Sequence, residues 1–172
     1  KRPKAIIGFS DITALLNAAQ VEAGLVTFHA PMARAPLTPF SRWHFDRVLT
    51  TVNPAGRLGR VAPPADVLVP TSGRIVTLVP GQATGPLVGG NLTLLQCLIG
   101  TKYFPDLSGT LLFIEDVGED LYSVDRMLAQ LRSVGALQKV AGVIVGQFTE
   151  LKRGTDDGAL GLGLPDDVAL GV

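Results

Sequence analysis

The chain has 172 residues, 47% hydrophobic and 17% charged, with 15 basic and 15 acidic side chains and a formal net charge of +0. That composition supports a real core and excludes a disordered chain, and the absence of any Lys/Arg block argues against nucleic-acid or anionic-membrane partners. The single cysteine, Cys97, excludes an internal disulfide and speaks against a cysteine metal site; after the apolar run NLTLLQ it reads as a small buried core residue.

Residues 4–9 read as a short buried strand centred on Ile6 and Ile7. A helix over 11–23 follows, with Ile12, Leu15, Leu16 and Ala19 at helical spacing and Gly24 as its C-terminal stop. The run LVTF (25–28) is the next strand, so the order is βαβ and the sheet parallel. Thr38 and Pro39 form an N-cap and first-turn proline for a helix carrying Phe40, Trp43, Val48 and Leu49. The Gly/Pro-rich stretch 53–65 reads as a linker between a first domain, 1–52, and a second, 66–172. In the second, ADVLVP and RIVTLVPG read as strands, GPLVGG as a Gly-rich turn with Asn91 as the N-cap of a short helix after it, and GTLLFIEDVGED as a buried strand ending in acids. LYSVDRMLAQLRSVGAL is an amphipathic helix with Leu121, Val124, Leu128 and Leu131 on one face and Gly135 at its end, and VAGVIVGQF is a further buried strand. The fold class is therefore α/β: part of a parallel-sheet domain followed by most of a mixed α/β domain.

Three places carry candidate chemistry. Ser10 sits at a strand–turn–helix junction, where a sharp bend exposes a nucleophile and the helix N-terminus supplies N–H donors, the amide of Asp11 first among them. The G-x-S-x-G elbow is half met, since Gly8 is present and Ile12 replaces the second glycine; a helix-capping role for Ser10 or Asp11 stands as the alternative. Of the two histidines, His29 follows a strand parallel to that of Ser10 and His44 lies on a helix beside Trp43; His29 is a weak candidate for a base. Glu115 and Asp116 close a buried strand and alternate to opposite faces, so one points into a cleft while the other is free to cap a helix. The glycines of LVGGN lack the lysine and spacing of a phosphate loop, and no dinucleotide fingerprint is present, so no cofactor or metal is expected.

The motifs IIGFSDITALL, TFHAPM, GPLVGGNLTLLQCLIGT, LLFIEDVGEDLYSVDRMLAQLRSVGAL and VAGVIVGQF occur in the order seen in the LD-carboxypeptidases, the serine peptidases that include muramoyltetrapeptide carboxypeptidase, and the chain resembles that family from residue 4 to about residue 148. The resemblance implies two domains with the site between them, Ser10 as nucleophile on an elbow, the Asp11 amide in the oxyanion hole, Glu115 as the triad acid, and Asn91 as a site-shaping residue. It implies hydrolysis of the LD-peptide bond that releases terminal D-alanine from murein tetrapeptides in peptidoglycan recycling, in the cytoplasm, with a muropeptide as partner and a homodimer as a family-level expectation. A self-immunity peptidase for peptide–nucleotide antibiotics and a non-catalytic muropeptide-binding relative are the alternatives. The family's triad histidine follows the VIVGQF strand and does not occur in this sequence, where His29 matches a different loop with Ala30 in place of the usual glycine; the chain reads as a piece of something longer, poorly soluble or oligomeric on its own. Arg34, Arg74 and Arg126 are unranked candidates to hold a substrate carboxylate.

Overall fold

The structure is a computed structural model and describes residues 4–31, 36–57 and 75–152. Two parallel sheets are present among these residues. In the first, β1 (Ile7–Gly8) pairs with β2 (Phe28–His29), placing Ile7 opposite Phe28 and Gly8 opposite His29. Helix α1 (Ile12–Ala23) crosses between them and stops at Gly24, whose left-handed φ of 61° lets its N–H turn back to the carbonyls of Ala19 and Gln20. This is the expected βαβ unit, with its second strand at 28–29 rather than 25–28. Helix α2 (Pro39–Leu49) starts as its sequence predicts: the Thr38 hydroxyl accepts the amide of Ser41 at 3.1 Å, and Pro39 occupies the first turn.

The second sheet has the order β3–β4–β5, from β3 (Leu87–Asn91), β4 (Leu111–Val117) and β5 (Gly142–Thr149), all parallel. Helices α3 (Leu92–Cys97) and α4 (Leu121–Ser133) cover one face. Alternation along β4 sends Leu112 and Ile114 into a core shared with Leu92, Leu95, Met127 and Leu131. Leu92, Leu95, Leu112 and Leu131 are fully buried, each contributing on the order of 2 kcal/mol of apolar transfer free energy.

Several expectations need correction. The Gly-rich stretch before α3 is not a turn but strand β3, paired along its length with β4. Cys97 is exposed: at ~100° per residue, Leu92, Leu95 and Leu98 take the inner face of α3 and Cys97 falls opposite. On α4, Met127 shares the deepest position with Leu131, while Leu121, in the first turn, is 56% exposed. Residues 75–81 form no strand; Ile75, Leu78 and Val79 are exposed and no described strand lies beside them to complete a ladder. The run ADVLVP, positions 58–65 of the linker, Arg34 and Arg74 lie outside the described residues.

The two sheets meet through α1. Thr13, fully buried in its first turn, accepts the backbone N–H of Asn91 on Oγ1 at 3.1 Å. One turn on, the Asn17 amide donates to the carbonyl of Gly89 at 3.1 Å and to that of Thr13 at 2.8 Å. This approach needs β3 to be bare. Gly89 and Gly90 have φ of 140° and 133°, outside the range of L side chains. A Cβ on Gly90 would stand 2.7 Å from the Thr13 side chain, and one on Gly89 would strike the carbonyl of Phe113. Gly90→Ala is expected to destabilise the protein by about 2 kcal/mol or more through combined backbone strain and overlap, measured as a lower urea midpoint at unchanged slope.

Candidate active site

Ser10 lies two residues past the end of β1 and has φ of 55°, one of two non-glycine residues with positive φ among those described. A serine in this region is uncommon and costs about 1 kcal/mol or more. Its carbonyl accepts the N–H of Thr13 at 2.9 Å, so the residue is the bend through which strand becomes helix. Its hydroxyl makes no hydrogen bond among the described residues, and Asp11, at the N-cap position, makes no side-chain cap. Neither residue therefore serves as the capping side chain that was the alternative to an exposed hydroxyl.

At the corresponding ends of β3 and β4 lie Asn91 and Glu115, paired in register. Asp116, 4% exposed, faces the α3 side, and all its acceptor capacity is used. Oδ1 takes the Asn91 amide at 2.7 Å and the N–H of Val117 at 2.9 Å; Oδ2 takes the N–H and hydroxyl of Thr93 at 3.0 and 2.9 Å. The expectation that one acid caps the helix that follows is not met: Asp116 secures the start of α3, which precedes it, and Asn91 caps that helix through the N–H of Leu94 at 3.1 Å. The first turn of α4 owes nothing to a side chain, since Asp120 at its N-cap position makes no cap bond.

Glu115 faces the other way. Gly146 and Gln147 of β5 stand opposite it, a bulge that breaks the ladder between Ile114 and Asp116, and a Cβ on Gly146 would sit 3.1 Å from its own Cβ. Glu115 Oε1 is buried without a hydrogen-bond partner among the described residues. Burial first, then the neighbouring Asp116 carboxylate, pushes its pKa up, and the Asn91 amide offsets part of the rise. Across from it, His29 Nε2 lies 3.7 Å from Glu115 Oε1, and the ring meets Phe113 edge-on with centroids 5.2 Å apart. Phe113 and Glu115 are two apart on β4 and so share a face. Burial lowers the pKa of His29.

The structure therefore brings Asn91, Glu115 and His29 together, and links Ser10 to them through Thr13. Arg126 lies elsewhere, on α4 against Tyr122. A cavity of about 990 Å³ opens beyond the imidazole, lined by Phe28, His29, Phe40, His44, Phe45 and Phe113 among others; Ser10 and Glu115 are not in its wall. Sequence reasoning missed Thr13, Thr93 and the nearness of His29 to Glu115. The first two carried a signal, being hydroxyls in the first turns of helices whose N-termini abut strand ends. The third depends on how two sheets face each other, which strand patterns do not encode.

Two family models match in order, "LD-carboxypeptidase N-terminal domain" over residues 1–30 and "LD-carboxypeptidase C-terminal domain" over 84–163. The chain belongs to the LD-carboxypeptidase family. It is 41% identical over 157 residues to a Bacillus subtilis protein named "Probable murein peptide carboxypeptidase", covering 86% of this chain and 44% of that one. It is 28% identical to the "Microcin C7 self-immunity protein MccF" of Escherichia coli, covering 84% and 48%. The crystal structure of muramoyltetrapeptide carboxypeptidase from Oxalobacter formigenes superposes with a TM-score of 0.70 at 34% identity, covering 91% of this chain and 50% of that one. The chain thus spans about half the length of the relatives it matches. No helix among the described residues is long and apolar enough to cross a membrane.

Two outcomes follow for this chain. Asp116→Ala strands the Asn91 amide and two backbone N–H groups, and is expected to cost about 3 kcal/mol in denaturant unfolding. His29 contributes a pH slope. Its folded pKa lies below the ordinary 6.5, so as pH falls through 6.5 the unfolded chain takes up a proton that the folded chain refuses, and stability declines until the lowered pKa is passed. Glu115 acts in the opposite sense below its own raised pKa, down to 4.5, where the folded state holds the extra proton. Subtracting the urea stability curve of His29→Gln from that of the wild type over this range isolates the His29 part, which should fall with pH below 6.5.

Proposed function

We propose that the protein is a serine-type carboxypeptidase that hydrolyses the LD-peptide bond releasing terminal D-alanine from murein tetrapeptides, acting in cytoplasmic peptidoglycan recycling. The nucleophile is Ser10, the Asp11 amide contributes to the oxyanion hole, Glu115 is the triad acid, and Asn91 shapes the acid end. Residues 1–52 belong to the nucleophile-bearing domain and 66–172 to the acid-bearing one, with 53–65 joining them. A homodimer is part of the same reading.

The observation that carries it is the bend at Ser10: a positive-φ serine with an uncommitted hydroxyl, at the N-terminus of a helix whose next buried side chain, Thr13, is bonded to the strand beside the Glu115 strand. Backbone strain at such a position is a common mark of a functional residue, and strand–turn–helix is the setting of a nucleophile elbow. Glu115 adds a carboxylate at the end of β4 that takes no part in the bonds holding Asp116, as an acid left free to orient an imidazole requires.

In the mechanism the triad histidine, expected after β5 as in the family, takes the Ser10 hydroxyl proton while Oγ attacks the scissile carbonyl. The new oxyanion is held by the Asp11 N–H. The intermediate collapses as the imidazolium returns its proton to the departing D-alanine amine, leaving an acyl-serine. Water, deprotonated by the same imidazole, then frees the shortened peptide. Glu115 stays ionised throughout and stabilises the imidazolium.

The full-length protein should release D-alanine from murein tetrapeptide and bind a fluorophosphonate covalently at Ser10. Ser10→Ala should abolish labelling and lower kcat by about 10⁴-fold or more. Turnover that survives in Ser10→Ala, or a folded full-length protein that refuses the label, would refute the serine mechanism. Cleavage of a peptide–nucleotide conjugate in preference to the tetrapeptide would favour the self-immunity reading.

A further inference from the structure

His29 has no part in the reading above, yet its imidazole stands 3.7 Å from the free oxygen of Glu115. Its strand is hydrogen-bonded to β1, with the Ala30 N–H on the Gly8 carbonyl at 2.9 Å, so its ring is fixed to the strand that carries Ser10. On the other side, Phe113 holds the ring edge-on and Glu115 Oε1 stands 3.7 Å from Nε2. His29 Nδ1 and Glu115 Oε1 are both buried and lack hydrogen-bond partners among the described residues. A buried carboxylate oxygen left unpaired is costly; a shift of roughly 1 Å toward Nε2 relieves it, and catalytic hydrogen bonds are often long before substrate binds.

We infer that His29 is a positioning residue for Glu115: its Nε2–H donates to Oε1 and holds the carboxylate so that Oε2 meets the triad base. The inference rests on the proposed function for what Glu115 does, but not for the contact itself. Of the acids at the end of β4, Glu115 alone turns toward the ring, since Asp116 is committed on the opposite face; from α2, His44 lines the same cavity. Burial favours the neutral imidazole, which can keep its proton on Nε2 toward the acid and leave Nδ1 as an acceptor. The unpartnered Nδ1 and the unbonded Ser10 hydroxyl separate this role from that of the base. Because β2 moves with β1, the contact sets how far the acid stands from the nucleophile strand.

The test has an arm that needs no turnover. The imidazole of His29 is titrated by NMR in the full-length protein and in Glu115→Gln, its signal assigned by loss in His29→Gln. Its pKa should fall by about half a unit or more in Glu115→Gln, because the carboxylate favours the protonated ring; an unchanged value overturns the inference. In the second arm, His29→Phe keeps the packing on Phe113 and removes the donor. It should lower kcat about 10- to 100-fold with little change in KM and move the acidic limb of the pH profile upward, since Glu115 loses a donor that favours its ionised form. His29→Gln, which restores an N–H, should recover most of the loss. Equal losses in the two variants would mean a packing role, and a loss of about 10⁴-fold would make His29 the base; either overturns the inference. A wild-type protein that neither labels at Ser10 nor releases D-alanine overturns the proposed function alone, because the response of the imidazole is read without catalysis.

Discussion

The hydrogen bond from the Asn91 backbone to the Thr13 hydroxyl is the contact on which the arrangement of the site depends. Thr13 is three residues past the nucleophile candidate, and Asn91 is the register partner of Glu115. One bond therefore relates the bend of the first sheet to the acid end of the second, and the Asn17 bond to Gly89 prevents pivoting about it. A side chain on Gly90 would hold the helix off β3 and one on Gly89 would strike the Phe113 carbonyl of β4, so the geometry depends on two positions that carry no chemistry at all. Side-chain volume is given up there so that the Thr13 and Asn17 side chains can reach the main chain of β3.

The acid end shows how one strand sorts two identical charges. Asp116 receives four hydrogen bonds and organises the start of α3; Glu115, next in the chain, is left with a buried oxygen unpaired and a raised pKa. The difference follows from strand alternation, sharpened by a bulge in β5. A satisfied carboxylate is structural and an unsatisfied one is available for work. The tension at Glu115 is stored locally because its neighbour is so well held.

Much of this was legible from the residues. Period-two and helical patterns placed β1, α1, α2, α3, α4, β4 and β5, and caps at Thr38, Gly24 and Asn91 behave as their chemistry dictates. What failed has a common cause. Cys97 was read from an apolar run without its angular position, Leu121 from a stripe without knowing where the helix leaves the core, and residues 75–81 from β-propensity without a neighbouring strand. Each depends on a partner that sequence does not name. The proximity of His29 to Glu115 belongs to the same class, since the two residues are 86 positions apart by number (115 − 29) and meet only because Thr13 and Asn91 bring the sheets face to face.

The bare Gly89–Gly90 surface has a further consequence for how this protein tolerates change. Where the Thr13 and Asn17 side chains bond directly to the main chain of β3, that strand has no side-chain volume to trade, so drift elsewhere cannot be absorbed there by repacking, as a greasy interface would allow. The wall around the 990 Å³ cavity, by contrast, is mostly aromatic and aliphatic. That wall has side-chain volume to exchange, while the spacing of Ser10 and Glu115 stays pinned by two residues that have nothing left to remove.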